Sequence, residues 1–286
     1  MARTLSRTPR TSVRRALATV GAAGLLIALA ACAQGADAPG AASDYVTDGK
    51  LTIGTGEPAY YPWVIDDAPE TGEGFEAAVA YAVAEELGFD ADDVVWVRST
   101  FDQAIAPGAK DFDFNLQQFS ITPDRAENVD FSSPYYETTQ VVITTAASRA
   151  ADATSIADLK GLLIGAQTGT TSFSAIEEQI APTAGAQVFN TNDDAKLALE
   201  SGTVDAIVVD LPTAFYLTGV ELTDGLIIGQ LPAEEGSGDQ FGLVLAKDSP
   251  LTAEVTEAVD RLRDSGRLQE LAEQWLADAA SAPVLQ

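Results

Sequence analysis

The chain has 286 residues, of which 43 are acidic and 16 are basic, so its formal net charge at pH 7 is −27. It contains no histidine and one cysteine, which excludes serine–histidine and cysteine–histidine catalysis, histidine-bound zinc and an intramolecular disulfide. This large negative charge repels nucleic acid and anionic lipid headgroups. We interpret the charge as favouring solubility rather than as attracting cationic ligands. No EF-hand, Walker A or dinucleotide-binding glycine pattern is present. We therefore expect no cofactor and no metal ion, although a site built from carboxylates alone remains open.

The N-terminal segment has the features of an export signal. Five arginines and no acidic residue precede an apolar run from Ala16 to Ala31, which is shorter than the roughly 20 residues that a membrane-spanning helix needs. The run ends in Leu29-Ala-Ala-Cys32, which resembles a bacterial lipobox and implies cleavage before Cys32 and a lipid on its sulfur. We expect a signal peptide over residues 1–31 and a lipid anchor on the extracytoplasmic face of the cell membrane. The alternative is a membrane-anchored start with a buried cysteine.

The rest of the chain reads as a tether followed by an α/β body. Residues 32–48 lack apolar periodicity and are rich in Ala, Gly and Asp, which predicts a flexible tether. Beyond it we predict strands over 50–55, 93–98, 112–116, 162–166, 186–190 and 204–209. Helices are predicted over 75–87, 101–106, 171–180, 193–201, 251–264 and 268–277. This alternation indicates mostly parallel sheets flanked by helices, in two similar lobes.

A short segment that ends at Arg125 combines a helix start with a basic side chain. Thr122 can cap a helix and Pro123 suits its first position, so Arg125 would project from the first turn. A guanidinium beside the free N–H groups of a helix start can clamp a carboxylate, because it offers two parallel donors. The alternative is a surface arginine paired with Glu127 or Asp130.

Two predicted strand ends carry further polar groups. Gln167-Thr-Gly-Thr-Thr171 follows one strand and precedes a helix that Thr170 can cap, at the edge where open α/β sheets bind ligands. Asp210 follows another strand, where its carboxylate can hold an ammonium group. The alternatives are an ordinary capped turn and, for Asp210, a cap on the helix that Pro212 opens.

Together these segments resemble the solute-binding proteins of amino-acid ABC transporters, the family 3 extracellular binding proteins with the type II periplasmic-binding fold. The resemblance runs from about residue 50 to 277 and follows the family's order of motifs: Tyr60-Tyr-Pro-Trp63, Gly74-Phe-Glu76, Phe112-Asp-Phe114, Ser120-Ile-Thr-Pro-Asp-Arg125, Val129-Asp-Phe-Ser-Ser-Pro-Tyr-Tyr136, Leu159-Lys-Gly161, Gly169-Thr-Thr171 and Val204-Asp-Ala206. It implies a first lobe over 49–139 and 239–279, a second lobe over 140–238, a two-strand hinge and a C-terminal tail over 280–286.

The resemblance also implies a ligand site between the lobes. The family's α-carboxylate arginine falls on Arg125, supported by the backbone of Ser120 and by Thr171, and its α-ammonium acceptor falls on Asp210. The other expected ligand contacts are two aromatic walls, a first-lobe polar group and a nearby acid: Tyr60, Phe101, Gln118 and Glu57. Relatives that bind basic amino acids often carry an aspartate where Gly56 stands here. Glu57 either replaces that acid or faces solvent.

We therefore predict a monomeric, lipid-anchored binding subunit of an ABC importer, with a membrane permease as its partner. The ligand is expected to be a polar or cationic L-amino acid, because the aromatic walls suit a cation or a flat amide. The alternatives are a periplasmic dehydratase-like enzyme on the same fold and a sensor lipoprotein that does not transport. We expect no enzyme activity, because the clearest cleft groups fit a clamp for a zwitterion better than an acid–base pair.

Overall fold

The computed structural model describes residues 44–233, 238–276 and 282–286. The predicted signal peptide, Cys32 and the tether up to residue 43 lie outside these residues. The end of the predicted tether lies against the body: the Val46 N–H donates to Asp113 Oδ1 at 2.8 Å, and the Tyr45 ring packs edge-on against Phe89. Within the described ranges, no helix is long and apolar enough to cross a membrane.

The described strands form two sheets of five strands each. In chain order they are β1 (Leu51–Gly56), β2 (Val94–Ser99), β3 (Phe114–Asn115), β4 (Val129–Thr138), β5 (Gln140–Thr145), β6 (Ile164–Gln167), β7 (Gln187–Phe189), β8 (Ala206–Asp210), β9 (Gly225–Gln230) and β10 (Asp239–Ala246). The first sheet has the order β2-β1-β3-β10-β4 and the second the order β7-β6-β8-β5-β9. The α/β class and the two similar halves are confirmed.

The pairing within each sheet is mixed rather than mostly parallel. In the first sheet β1 pairs in parallel with β2 and β3, whereas β10 pairs antiparallel with β3 and β4. The second sheet repeats this, with β6 parallel to β7 and β8, and β5 antiparallel to β8 and β9. The parallel strands are those joined by helices. The antiparallel strands include β4, β5 and β10, which lie where the chain passes from one sheet to the other. No helix of the described residues joins the strands at that point, so nothing there requires them to be parallel.

Helices cover the faces of both sheets. They are α1 (Phe75–Glu86), α2 (Phe101–Ile105), α3 (Pro123–Ala126), α4 (Ile156–Leu159), α5 (Thr171–Ala175), α6 (Asn192–Glu200), α7 (Leu211–Tyr216), α8 (Thr252–Asp264) and α9 (Arg267–Leu276). π-helical turns continue α5 through Ile180 and α7 through Glu221, and three 3₁₀ turns lie at Ile65–Asp67, Pro69–Thr71 and Ala91–Asp93.

The strand alternation builds the core. In β5, Val141 and Ile143 pack into one apolar cluster and Val142 into another, and in β8 Ile207 and Val208 divide in the same way. Successive side chains of a strand point to opposite faces of the sheet, so the second sheet is buried on both sides. The first sheet packs against α1, α8 and α9 through a larger cluster with Trp63, Phe75, Phe114 and Phe241 among its members.

The chain crosses between the two sheets at adjacent points. β4 ends at Thr138 and β5 begins at Gln140, so one residue, Thr139, links the sheets. The return strand, β10, begins at Asp239, which pairs with Thr138. The two crossings therefore lie side by side, at the place predicted for the hinge.

The last five residues, within the predicted C-terminal tail, return to the second sheet. Val284 forms a parallel bridge with Gln230 of β9. The Gln230 N–H donates to the Pro283 carbonyl at 2.7 Å, and the Leu285 N–H donates to the Gln230 carbonyl at 2.9 Å. Leu285 is 3% exposed and packs into one of the two clusters of the second sheet. The chain end is thus anchored by an apolar side chain and backbone hydrogen bonds.

Truncating Leu285 is expected to destabilise the protein. Leu285→Ala should lower the free energy of unfolding by about 2 kcal/mol, the low end for buried leucines because a chain end relaxes more readily. The neighbouring Val284 is 59% exposed, so Val284→Ala should change stability by less than about 0.5 kcal/mol. Urea unfolding of the two variants makes the comparison, and equal midpoints would show that the chain end is not anchored by Leu285.

Candidate functional site

A cavity of about 260 Å³ lies between the two sheets. Its walls come from the carboxyl ends of parallel strands in both sheets, the edge where open α/β sheets bind ligands. The predicted site residues that line it are Glu57, Tyr60, Phe101, Gln118, Arg125, Thr171 and Asp210. Ser120 lies just behind the wall, with its Oγ 3.1 Å from Thr171 Oγ1. In the part of the chain that the structure describes, no cluster of carboxylates or cysteine could hold a metal ion.

The predicted helix start at Arg125 is confirmed. Thr122 Oγ1 accepts the Arg125 N–H at 3.3 Å, and Pro123 occupies the first turn of α3. Arg125 itself is 8% exposed. The surface alternative does not fit this burial, and one of the acids considered for it, Asp130, pairs instead with Lys247 at 3.2 Å.

The Arg125 guanidinium is held by backbone carbonyls. Its Nη1 donates to the Ser120 carbonyl at 2.7 Å and its Nη2 to the Gly169 carbonyl at 2.8 Å. None of the ion pairs found among the described residues includes Arg125. Burial lowers the pKa of Arg125, while Asp239 and Asp210 oppose that shift from a distance. Arginine stays protonated in proteins, so the cavity wall carries a buried cation to which no anion is directly bonded within the described ranges.

Asp210 provides the opposite charge on the second sheet. It stands at the N-cap position of α7 but makes no side-chain cap hydrogen bond, so the capping alternative does not hold. Gln140 Nε2 donates to Asp210 Oδ1 at 2.8 Å and to Asp239 Oδ2 at 2.6 Å. Burial, assisted by the charge of Asp239, raises the pKa of Asp210 to about 8 against the hydrogen bond from Gln140. A cation in the cavity would stabilise the ionised carboxylate.

Direct contacts join the two halves across the cleft. Besides the bonds of Arg125 to Gly169 and of Ser120 to Thr171, they include a buried hydrogen bond from Trp63 Nε1 to Thr213 Oγ1 at 3.0 Å. The rings of Tyr61 and Tyr216 also meet there, with centroids 4.4 Å apart and planes tilted by 33°. The two lobes are therefore in a closed arrangement around the cavity.

The two predicted aromatic walls have different surroundings. The Phe101 ring lies 5.2 Å from the Arg125 guanidinium carbon, a cation–π contact that helps to hold the arginine. Burial raises the pKa of Tyr60 to about 12, against hydrogen bonds to Thr191 and to the Asp193 backbone in the other half. Both rings line the cavity, and the sandwich of a ligand side chain between them stays a prediction.

Two acids near the first strand differ in exposure. Glu57 lines the cavity and is also exposed to solvent, so it stands at the mouth. Glu76, on the first turn of α1, is 2% exposed, lines the cavity and was not predicted as a site residue. Burial raises its pKa to about 7. An acid in the first turn of α1, ahead of a run of apolar residues, is the signal in the sequence that could have found it.

Gln118 has a backbone conformation that only its surroundings explain. Its φ is 52°, in the left-handed region that costs a non-glycine residue about 1 kcal/mol or more. Its N–H donates to Glu76 Oε1 at 2.7 Å and its side-chain amide donates to Glu76 Oε2. Strained backbone at a ligand cavity is typical of a site whose geometry is imposed by the fold.

The chain is similar to amino-acid-binding proteins of known sequence or structure. The chain is 28% identical over 240 residues to an L-arginine-binding protein of Pseudomonas aeruginosa, covering 82% of this chain and 90% of the relative. It resembles the structure of an ancestral arginine-binding protein bound to glutamine, with a TM-score of 0.67, 29% identity and coverage of 80% of this chain and 98% of the other. It also resembles the structure of AncCDT-1, an ancestral amino acid-binding protein and precursor of cyclohexadienyl dehydratase. The TM-score is 0.66 and the identity 29%, and the match covers 80% of this chain and 95% of AncCDT-1.

The family assignment rests on the whole body of the chain. The sequence profile of the bacterial extracellular solute-binding proteins, family 3, matches residues 51–278, which include both sheets and the cavity between them. Members of this family are extracytoplasmic. Several curated relatives are named as amino-acid-binding proteins, and two of these names include an ABC transporter. The chain belongs to the bacterial extracellular solute-binding proteins, family 3.

Proposed function

We propose that the chain is the lipid-anchored substrate-binding subunit of an ABC importer and that it takes a polar or cationic L-amino acid. One observation carries the proposal: the cavity has a buried cation, Arg125, on one half and a half-buried carboxylate, Asp210, on the other, and neither has a direct ionic partner among the described residues. An α-amino acid has the complementary groups, a carboxylate for Arg125 and an ammonium for Asp210, bonded to the same carbon. The solute-binding role of the relatives supports the same conclusion.

Binding in this scheme joins the two lobes. Arg125, with the Ser120 backbone, holds the α-carboxylate from the first lobe, residues 49–139 and 239–279. Thr171 and Asp210 approach from the second lobe, residues 140–238, where Asp210 accepts the α-ammonium. The ligand therefore favours the closed arrangement, and the two crossings near Thr139 are proposed to bend as the hinge. Closure excludes water, which strengthens both charge pairs. The closed monomer is then the form that a membrane permease recognises.

The side-chain preference follows from the rest of the wall. Among the described residues that line the cavity, Arg125 is the one cation, and it is committed to the α-carboxylate. The ligand side chain instead meets Tyr60, Phe101 and Gln118, with Glu57 at the mouth. These groups suit a cation or an amide and leave a side-chain carboxylate without a partner. Similar proteins named for arginine, one of them with glutamine bound, fit this preference.

A ligand panel tests the proposal. Full-length protein purified in detergent would be titrated with arginine, lysine, glutamine, glutamate and aspartate while thermal unfolding is followed. A specific ligand at a thousandfold excess over its Kd should raise the free energy of unfolding by about 4 kcal/mol. No stabilisation by any amino acid would overturn the function, and tighter binding of the acidic pair would overturn the side-chain preference. The same incubations should yield no product, because the protein is proposed to bind and not to react.

Replacing Cys32 tests the proposed anchor. Cys32→Ala should give an unlipidated protein that is released from the membrane fraction or kept as an uncleaved precursor, since two or more acyl chains are what make such anchoring stable. Intact mass and membrane fractionation in a bacterial host measure both outcomes, with Gln34→Ala as the matched control. Unchanged mass and membrane retention of the Cys32 variant would contradict the anchor.

A further inference from the structure

Glu76 is a buried carboxylate beside the cavity whose bonded partners all donate to it. The Gln118 N–H donates to its Oε1 at 2.7 Å, and the Gln118 side-chain amide donates to its Oε2. The Tyr135 hydroxyl also donates to Oε1. Glu76 and Gln118 both line the cavity, and Glu76 is 2% exposed. One carboxylate therefore holds both the backbone and the side chain of Gln118.

This contact decides which end of the Gln118 amide is available to a ligand. Glu76 Oε2 accepts from the Gln118 side-chain nitrogen, so the amide has its nitrogen turned toward Glu76. The carbonyl oxygen, Oε1, is then directed away from Glu76, and no hydrogen bond to it is found within the described part of the chain. Gln118 thus commits a side-chain N–H to Glu76 and keeps its carbonyl oxygen as an acceptor that a ligand can use.

The neighbouring Gln117 repeats the arrangement. Its Nε2 donates to Ser99 Oγ at 3.1 Å and to Asn115 Oδ1 at 3.0 Å. Its Oε1 points toward Gly56 on the cavity wall, 3.4 Å from where a β-carbon on that glycine would stand. Both adjacent amides therefore donate from their nitrogens to acceptors within the protein.

We propose that Glu76 is a positioning residue that sets the side-chain preference of the site by orienting the Gln118 amide with its oxygen toward the ligand. This inference rests on the proposed amino-acid binding. An amide oxygen accepts hydrogen bonds from a guanidinium, an ammonium or an amide NH₂. It offers nothing to a side-chain carboxylate, which needs donors, so acidic amino acids are rejected.

The variant Glu76→Gln reverses the orientation with little change of shape. Burial raises the pKa of Glu76 to about 7, so a neutral side chain is tolerated at this place. With its carbonyl oxygen still accepting from the Gln118 N–H and Tyr135, the new amide would turn its NH₂ toward the Gln118 side chain. The Gln118 amide would then accept from it and turn its own NH₂ toward the cavity.

The test is the ratio of the Kd for L-glutamate to the Kd for L-arginine, measured by calorimetry on the full-length protein. We expect this ratio to fall by about tenfold or more in Glu76→Gln, as one hydrogen bond to a charged ligand is exchanged for an unfavourable contact. Glu85→Gln, the same substitution at an exposed position of α1, should leave the ratio unchanged. An equal loss of affinity for both ligands would assign Glu76 a merely structural role and overturn the inference.

A second variant covers the case in which Glu76→Gln does not fold, as judged by circular dichroism. Gln118→Met removes the acceptor and leaves Glu76 in place, so it should weaken arginine binding and lower the same ratio. An unchanged ratio in this variant would overturn the inference, as would a preference for glutamate in the unmodified protein. If the unmodified protein binds no amino acid of the panel, the proposed function fails first. If it binds both and the variants keep its ratio, only the role of Glu76 fails.

Discussion

Replacing Arg125 with alanine is expected to abolish amino-acid binding while the protein stays folded. Arg125 is buried, and its guanidinium is held at the cavity wall by two backbone carbonyls and the Phe101 ring. Loss of one partner of a desolvated charge pair costs about 2–5 kcal/mol, which weakens binding by roughly 30-fold to 5,000-fold. Calorimetric titration measures the loss, and circular dichroism checks the fold.

Two comparisons separate a lost carboxylate clamp from general damage. Arg267→Ala removes an exposed arginine of α9 whose partner is Glu270. The affinity of this variant for the amino acid should equal that of the unmodified protein. A ligand whose α-carboxylate is replaced by an amide should bind Arg125→Ala and the unmodified protein with similar, weak affinity, because the interaction is already absent. Near-normal affinity for the amino acid itself in folded Arg125→Ala would refute the clamp.

Replacing Asp210 with asparagine should have the second large effect. The change keeps the shape of the side chain but removes the negative charge that faces the α-ammonium, and a loss of about 2–5 kcal/mol is expected on the same grounds. An α-hydroxy acid analogue, which has no ammonium group, should lose much less affinity than the amino acid does. An equal loss for both ligands would place the ammonium elsewhere in the cavity.

The same variant should remove a pH dependence. Burial raises the pKa of Asp210 to about 8 without ligand, and a bound ammonium lowers it again, so binding near neutral pH releases a proton. Affinity should therefore fall about tenfold for each pH unit below 8, until the pKa of the bound state is reached. Asp210→Asn isolates this contribution from that of Glu76, whose pKa burial raises to about 7. Titrations from pH 6 to 8 that show no pH dependence in the unmodified protein would contradict it.

Short-range interactions made part of the fold predictable from the sequence. The helix starts at Thr122 and Thr170 were predicted correctly, because an N-cap hydrogen bond reaches only three residues along the chain. Helix α1 was placed to within a residue from its apolar spacing, and α8 was also placed to within a residue. The family resemblance rested on the order of such local segments, and the profile match confirmed it.

Strands that depend on distant partners were harder to predict. β4 contains Pro134 and several polar residues, and it was recognised only as a family motif and not as a strand. It exists as a ten-residue strand because β10, more than a hundred residues later, pairs with it. That pairing is also why the sheets are mixed, since the direction of a strand with a distant partner is not encoded in its own periodicity.

The sequence alone determined which chemical groups the site contains, and the tertiary structure decided how they are used. For Arg125 and Asp210 the local sequence allowed both a ligand role and an ordinary one, because burial is a property of the packed chain. Glu76 shows most clearly what could not be predicted from the sequence. An acid in the first turn of a helix is already explained by its favourable interaction with the helix dipole, so this local signal does not by itself indicate a role in the site. Only the folding of β3 and β4 around α1 brought Gln118 and Tyr135 to its carboxylate, since hydrogen bonds between residues so far apart in sequence form only when the core closes.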